Sequence, residues 1–404
     1  MSKHILIYSQ YFYPEQFRIN DICLELVKRG YKVSVVTGIP NYPEGKFYEG
    51  YSWTEKRTEN WQGIDIYRMP IVARGKNKIG LILNYTSFVA ATRFLEKTLP
   101  QDIDIVFTYE VSPMTQALPA IWYAKRHKLK HVLYVMDLWP ENIVAVTKLN
   151  NKLVLNQIDK MVDYIYNQSN FILASSKSFV KAIESRGVEK EKLSYWPQYA
   201  EDIYGVKEKN NDVASVQQTD ELSFVFAGNI GQAQGLSILP KVAKKLKTEN
   251  KSVKFIIIGD GRYKSELQKQ IKKEQVESYF LFVGRQPAYQ IPYYLANFDI
   301  GLITLDSSDI FEKTIPAKVQ SLMACGMPLL VSADGEVQGI VKSAECGFAS
   351  NSGNVDGFVK NIKRFMSLNS DELLKMKKKS LDYYNENFNK KLLMDQFESI
   401  INEG

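Results

Sequence analysis

Residues 312–330 read Glu312-Lys-Thr-Ile-Pro316-Ala-Lys318-Val-Gln-Ser321-Leu-Met-Ala-Cys325-Gly326-Met-Pro328-Leu-Leu330. This stretch divides into a loop, a short amphipathic helix and a small-residue turn that feeds a buried strand. Pro316 suits the first turn of a helix, where its missing N–H would be unbonded anyway. Val319, Leu322 and Met323 recur at helical spacing, and Ala324-Cys325-Gly326 lets the backbone leave the helix tightly before the strand after Pro328. A helix that starts at the mouth of a parallel sheet offers an anion its free amides and the positive end of its dipole. Lys318 stands in that first turn.

On either side of this segment the chain alternates strand, loop and helix, as doubly wound parallel sheets require. The pattern predicts strands over His4 to Ser9, Lys32 to Thr37, Ile103 to Thr108, His131 to Met136 and Phe171 to Ala174. A helix from Asn20 to Arg29 is stopped by Gly30. Residues 205–220 are polar and aperiodic, which predicts a linker or a long surface loop. Strands resume at Leu222, Lys254, Phe280, Ile300 and Leu329, and one or two helices follow Ser367.

A chain of 404 residues exceeds one ordinary core, so two domains are expected, and 45% hydrophobic with 12% aromatic residues can pack both. The net charge of +7 points to an anionic partner, either an anionic membrane or a phosphorylated substrate. Because 45 acidic residues accompany 52 basic ones, this is not a nucleic-acid-binding composition. Cys23, Cys325 and Cys346 are too few and scattered for a disulfide framework or a zinc site, which predicts a reducing compartment. The opening MSKHILIYSQ reads as a strand rather than a signal peptide. No run reaches the roughly 20 apolar residues of a spanning helix.

The stretch 312–330 resembles the donor-site signature of the family 4 retaining glycosyltransferases. Phe224-Val-Phe-Ala-Gly228-Asn229-Ile-Gly231 resembles the strand and loop that open that family's C-terminal domain. Ile256-Ile-Ile-Gly259-Asp-Gly261 resembles the next strand and nucleotide loop, and Val283-Gly-Arg285 and Asp299-Ile-Gly-Leu-Ile303 fit the two that follow. The resemblance implies an α/β chain of GT-B fold, with two facing Rossmann-like domains and a C-terminal helix crossing back. Its domains would be an acceptor-binding one over 1–200, a linker over 201–220, a nucleotide-sugar-binding one over 221–380 and the returning helix over 381–404. Trp196-Pro-Gln-Tyr-Ala-Glu201, Gln234-Gly235 and Pro316-Ala-Lys318 resemble a WbuB-like branch that transfers N-acetylated deoxyhexosamines in surface-polysaccharide assembly.

The resemblance also exposes departures. Where many relatives carry an Arg and a Lys after the first strand of the C-terminal domain, this chain has the neutral Asn229 and Gln234. Charge on a departing diphosphate would then be met by Lys318, with Arg285 second. The usual pair of glutamates falls at Lys313 and Ser321, while Glu312 and Gln320 keep the same spacing one residue earlier. Donor-side candidates are therefore Gly228, Asn229, Gly231, Gln234, Gly259, Gly261, Arg285, Glu312, Pro316, Lys318 and Ser321.

In the N-terminal half, Met136-Asp137-Leu-Trp-Pro-Glu141 directly follows an apolar strand. A carboxylate at a strand's C-terminal end faces the ligand crevice of such sheets. Asp137 is the candidate to orient an acceptor hydroxyl, with Glu141 assisting; the alternative is that Asp137 caps the next helix. Glu15, Gln16 and Arg18, in a loop where relatives have a glycine pair, are candidates for acceptor contact, or the loop simply packs between strand and helix. His4, His127 and His131 read as structural or exposed. Asp102-Ile-Asp104 matches a metal-binding pattern by letters only, and the resemblance implies a metal-independent enzyme with no cofactor.

The segment from Arg74 to Arg93 places Ile82, Tyr85, Phe88 and Val89 on one helical face between cations. That is an interfacial pattern, and equally that of a helix covering the sheet. The expected function is transfer of a sugar, an N-acetylhexosamine type, from a UDP donor to a polyprenyl-diphosphate-linked acceptor in capsule or O-antigen synthesis. The expected location is the inner face of the plasma membrane, peripheral and cytoplasmic. Alternatives are a nucleotide-sugar 2-epimerase of the same fold or a catalytically silent partner in polysaccharide assembly. A dehydrogenase is disfavoured, because no Gly-x-Gly-x-x-Gly opens the first helix.

Overall fold

The computed structural model describes residues 3–75, 77–147, 150–209 and 221–403. The chain forms two compact units, Met1–Trp196 with Ser399–Gly404, and Pro197–Glu398. Of the stretch 201–220 expected as a linker, residues 210–220 lie outside the described residues.

The first unit is built on eight strands, β1 (His4–Tyr8), β2 (Lys32–Gly38), β3 (Thr58–Trp61), β4 (Ile64–Met69), β5 (Ile105–Glu110), β6 (Lys130–Val135), β7 (Phe171–Ala174) and β8 (Leu193–Tyr195). Their order is β3-β4-β2-β1-β5-β6-β7-β8; β3 runs antiparallel to β4 and the other pairings are parallel. β1 and β5 are buried along their whole length, because the centre of a parallel sheet is covered on both faces and needs an unbroken apolar run. Sequence pattern finds those strands. It passes over the edge strands β3 and β8, since an edge strand such as Thr-Glu-Asn-Trp carries polar residues and no buried run, and over the inner strand β4, whose buried residues alternate with half-buried polar ones.

The second unit is built on six strands, β9 (Ser223–Ala227), β10 (Lys254–Ile258), β11 (Phe280–Gly284), β12 (Ile300–Thr304), β13 (Leu329–Ser332) and β14 (Gly347–Ser350). They are all parallel, in the order β11-β10-β9-β12-β13-β14. Phe224, Phe226, Val242, Leu246, Phe255, Ile257, Phe358 and Ile362 form its core. The strand order reverses between β9 and β12 here, and between β1 and β5 in the first unit. In open α/β sheets ligands bind beyond the carboxyl ends of the strands at such a reversal. The topology therefore singles out one crevice in each unit.

The helix expected after Pro316 spans Ala317–Ala324, with Pro316 at the cap in extended conformation, one position earlier than expected. Its end is a Schellman turn: Gly326 N–H donates to the Met323 carbonyl (2.9 Å) and Met327 N–H to that of Leu322 (3.0 Å). Gly326 sits at φ +67°, a conformation that side chains resist. Two helices close the chain, Ser370–Asn387 and Lys390–Asn402. The final residues bind within the first unit, where Ile401 is buried, Lys3 Nζ donates to the Ile401 carbonyl (2.9 Å) and Asn402 Nδ2 to the Tyr31 hydroxyl (3.1 Å). Among the described residues no helix is long and apolar enough to cross a membrane.

Candidate active site

At the carboxyl end of the second sheet, glycines let neighbouring loops meet backbone to backbone. A Cβ on Gly259 (φ +139°) would lie 1.9 Å from the Gly228 oxygen, and one on Gly261 would lie 2.3 Å from that of Ile230. Gly228 N–H donates to Ile258 (2.9 Å), Ile230 N–H to Asp260 (2.8 Å) and Gly259 N–H to Gly284 (2.9 Å). The amide of Gly261 is taken by Asp260 Oδ1 (2.8 Å). The glycines of Gly259-Asp-Gly261 thus make room for the adjoining loop. Gly228 and Asn229 remain exposed, Gly231 is half-buried, and Arg285 is exposed beyond the outer strand β11, two strands from β9.

Lys318 is where the structure joins two candidates that are 84 positions apart. Its Nζ donates to Gln234 Oε1, and lies 4.1 Å from the centre of the Phe226 ring. Gln234 is held in turn by Thr304, whose hydroxyl donates to the Gln234 carbonyl. Gly235 packs so tightly on Leu305 that a Cβ would come within 2.7 Å of its carbonyl carbon. Withdrawal from water brings the Lys318 ammonium down to a pKa of about 7. The cation missing from the loop after β9 is therefore supplied to that loop by the helix at 317–324. Sequence reasoning named both residues but not their contact, nor Phe226.

Ser321, at the position of the missing glutamate, turns back on its own helix and donates to the Ala317 carbonyl (3.1 Å). Gln320 is buried, and its amide nitrogen donates to the Pro316 carbonyl (2.9 Å), so the shifted spacing does not present it outward. Glu312 is half-buried in the short helix Asp309–Lys313, which Ser308 caps. Its backbone lies against Gly335, where a Cβ would come within 2.0 Å of the Glu312 oxygen.

At the carboxyl end of the first sheet the polar groups are linked to one another. Gln10 N–H donates to Gln116 Oε1 (2.7 Å), Gln10 Nε2 to Asn84 Oδ1 (2.7 Å) and Asn84 Nδ2 to the Val72 carbonyl (2.7 Å), and all three side chains are buried. Glu15 is 2% exposed, and its Oε1 accepts from the amides of Asn41 (2.7 Å) and Tyr42 (2.6 Å). Burial raises its pKa to about 7, against the pull of those amides. It shapes the loop from inside, whereas Gln16 is exposed and Arg18, half-buried, opens the helix Arg18–Lys28 with its charge acting on Tyr109 and Tyr134.

Asp137 is half-buried and is not a helix cap: its Oδ2 accepts from Ser112 N–H (2.7 Å), in the loop leaving β5. Glu141 is the first residue of the helix Glu141–Thr147, where an acidic side chain suits the dipole. Glu110, the last residue of β5, was not foreseen. It is fully buried, and its Oε2 accepts a long bond from Asp137 N–H (3.4 Å). Burial first, then the Asp137 charge, push its carboxyl pKa well above the ordinary value.

His131 is buried between Thr108 Oγ1 (2.9 Å) and Ser169 Oγ (3.2 Å), and burial lowers its pKa to about 3. Asp102 pairs with Lys32 (2.7 Å) and Asp104 accepts the His4 amide (2.7 Å) at the amino end of the strands, away from either crevice. Among the described residues no three His, Cys, Asp or Glu side chains cluster to hold a metal ion. The helix Lys78–Phe94 corrects the expected interfacial face. Tyr85 and Phe88 point into the core, and the outward stripe is Ile79, Ile82, Leu83 and Phe94, which are 70%, 56%, 47% and 84% exposed.

The sequence matches the family model of glycosyltransferase family 4 over residues 17–198 and that of glycosyl transferases group 1 over residues 207–383. It is similar to WcaI of Escherichia coli, whose name assigns it to colanic acid biosynthesis as a glycosyl transferase, at 24% identity over 82% of this chain and 83% of WcaI. Its fold is similar to that of the sucrose-phosphate synthase of Thermosynechococcus elongatus (TM-score 0.72, 13% identity, 99% of this chain and 98% of the other). It is also similar to that of Anabaena HepE solved in complex with UDP (TM-score 0.71, 14% identity, 99% of each chain).

Proposed function

We propose, for a chain that belongs to the family 4 glycosyltransferases of GT-B fold, that its donor is a UDP-sugar and its acceptor a polyprenyl-diphosphate-linked saccharide of a bacterial surface polysaccharide. The observation that carries this reading is Lys318, held on Gln234 and Phe226 at the start of the helix after β12. A half-desolvated lysine beside free helix amides suits a diphosphate. The anion restores its charge, and the charge-assisted bonds formed are about twice as strong as neutral ones. HepE was solved with UDP and WcaI is named for colanic acid biosynthesis, which supports the nucleotide and the pathway class.

As the bond from the anomeric carbon to UDP breaks, positive charge builds at that carbon, the acceptor oxygen bonds to it, and the hydroxyl proton passes to the departing diphosphate. Asp137 is assigned to orient that hydroxyl and Lys318 to stabilise the departing diphosphate, without a metal and with retention of configuration. The apolar stripe Ile79, Ile82, Leu83 and Phe94, near Arg93 and Lys97, suits contact with an anionic membrane in which a lipid-linked acceptor resides. The test is a thermal-shift comparison of UDP, GDP and ADP on the full chain, followed by transfer from the stabilising nucleotide's sugars to lipid-linked acceptors. A ligand that binds the folded state raises its melting temperature. Stabilisation by GDP or ADP but not UDP would overturn the donor assignment.

A further inference from the structure

We propose that Glu110 is the positioning residue for Asp137: the two carboxyl groups, at the exits of neighbouring strands, fix one another through exchanged backbone donors and carry a single negative charge between them. The exchange is reciprocal. Asp137, from the exit of β6, accepts the Ser112 amide from the exit of β5 (2.7 Å), while Glu110, which ends β5, faces the Asp137 amide at the exit of β6 (3.4 Å). Met136 N–H, one residue earlier, donates to the Glu110 carbonyl (2.8 Å) and continues the β5–β6 ladder to its last rung. Trp139 Nε1 donates to Ser112 Oγ (3.1 Å), so the loop that presents the Ser112 amide is held from the β6 side as well.

Two features say that Glu110 is the neutral member. It is fully enclosed while Asp137 is half-exposed, and its Oε1 has no hydrogen-bond partner among the described residues. A carboxylate in that position would leave a charged oxygen both dry and unbonded, which is costlier than keeping the proton. The titratable groups acting with it are Asp137, Tyr109 on the same strand, Tyr85 from the helix Lys78–Phe94 and Tyr166 from the helix Lys152–Gln168. None of these is a cation. Asp137 thus keeps the one charge of the pair, aimed by Ser112 and backed by a neutral acid rather than a second anion.

The assignment of Asp137 to the acceptor rests on the function proposed above, whereas the pairing does not, and the experiment separates the two. Melting temperatures of the full chain, of Glu110→Gln and of Asp137→Asn are measured between about pH 5 and about pH 9. Glu110 ionises near 4.5 in the unfolded chain but keeps its proton longer when folded. The folded state therefore holds more protons across that window, and stability falls as pH rises through it. The parent is expected to lose melting temperature relative to Glu110→Gln as pH rises, and Asp137→Asn to shrink that gap by removing the neighbouring charge. Parallel curves for parent and Glu110→Gln overturn the pairing.

In transfer assays at saturating donor, where the bound diphosphate keeps Lys318 protonated, Glu110→Gln should keep turnover within about tenfold at neutral pH and lack the alkaline decline of the parent, while Glu110→Ala loses roughly a hundredfold. An unchanged alkaline decline in Glu110→Gln overturns the positioning role. If the parent transfers nothing under any condition, the proposed function fails, and the melting curves still decide the pair.

Discussion

At the carboxyl end of the first sheet the polar side chains are tied to neighbouring loops, chiefly through backbone amides: Gln116 accepts from Gln10 N–H, Glu15 from the Asn41 and Tyr42 amides and Asp137 from that of Ser112, while the Gln10 side chain donates to Asn84. At the carboxyl end of the second sheet the packing is done by glycine backbone, and Gly228, Asn229 and Arg285 stand exposed. One end is bonded up within itself, and the other holds the half-buried ammonium of Lys318, which we assign to the donor's diphosphate. Pre-assembled groups act most on turnover, whereas groups completed by the ligand act on affinity as well.

The sharpest way to break this contrast is Asp137→Asn. Turnover should fall by roughly 10²–10⁴, with UDP affinity nearly unchanged, because the interaction is made mainly in the transition state. Near-normal turnover in a folded variant would remove Asp137 from the mechanism. Lys318→Ala should weaken UDP binding and slow transfer, each by about 10- to 100-fold, and Asn229→Ala should do less. Calorimetric titration and steady-state rates read both, and parental behaviour in Lys318→Ala would place the cation elsewhere.

Acidity sharpens the comparison further. Because the Lys318 pKa is brought down to about 7, the free protein carries that charge only at lower pH, and above it must take up a proton to bind UDP. Affinity should weaken by up to about tenfold per unit as pH climbs above 7, and Lys318→Met should abolish the slope. A flat profile in the parent would show that the ammonium is not the group the diphosphate meets. Ile82→Glu with Leu83→Glu should lower binding to anionic vesicles by about tenfold or more and leave UDP affinity alone. Smallest of all, EDTA should leave UDP binding unaltered; loss of binding would introduce a metal.

Much of the fold was legible because buried parallel strands announce themselves as apolar runs, as in Ile256-Ile-Ile258. Edge strands do not, and β3, β8 and the short β14 were missed, as was the inner strand β4 with its alternating pattern. Within the site, Asp137 could be found because it follows its strand. Glu110 obeys the same rule but ends Ile-Val-Phe-Thr-Tyr-Glu, so it reads as part of the strand. Lys318 was legible from its helix start, and its meeting with Gln234 was not, since that contact depends on how the loop after β9 crosses Thr304 and Leu305. That Gly259 and Gly261 make room for the loop after β9 was not legible either, because it depends on how the two loops meet. Tyr85 and Phe88 lie close enough to Ile82 on the helix that periodicity left an interfacial and a sheet-covering face equally open; the structure buries Tyr85 and Phe88 and leaves Ile82 outside.

The return of the chain's last residues to the first unit bears on how the protein is made. Lys3 and Tyr31 find their partners in Ile401 and Asn402, and Ile401 fills a buried place. The second unit, by contrast, is one continuous stretch, Pro197–Glu398. A ribosome adding about 5–20 residues per second needs roughly 10–40 s to cross that stretch. Throughout that interval the nascent first unit waits with an unfilled apolar slot, whereas the second unit has all its parts as soon as the stretch ends. The unit translated first is therefore the one completed last, and a fragment ending at Trp196 would never be completed at all.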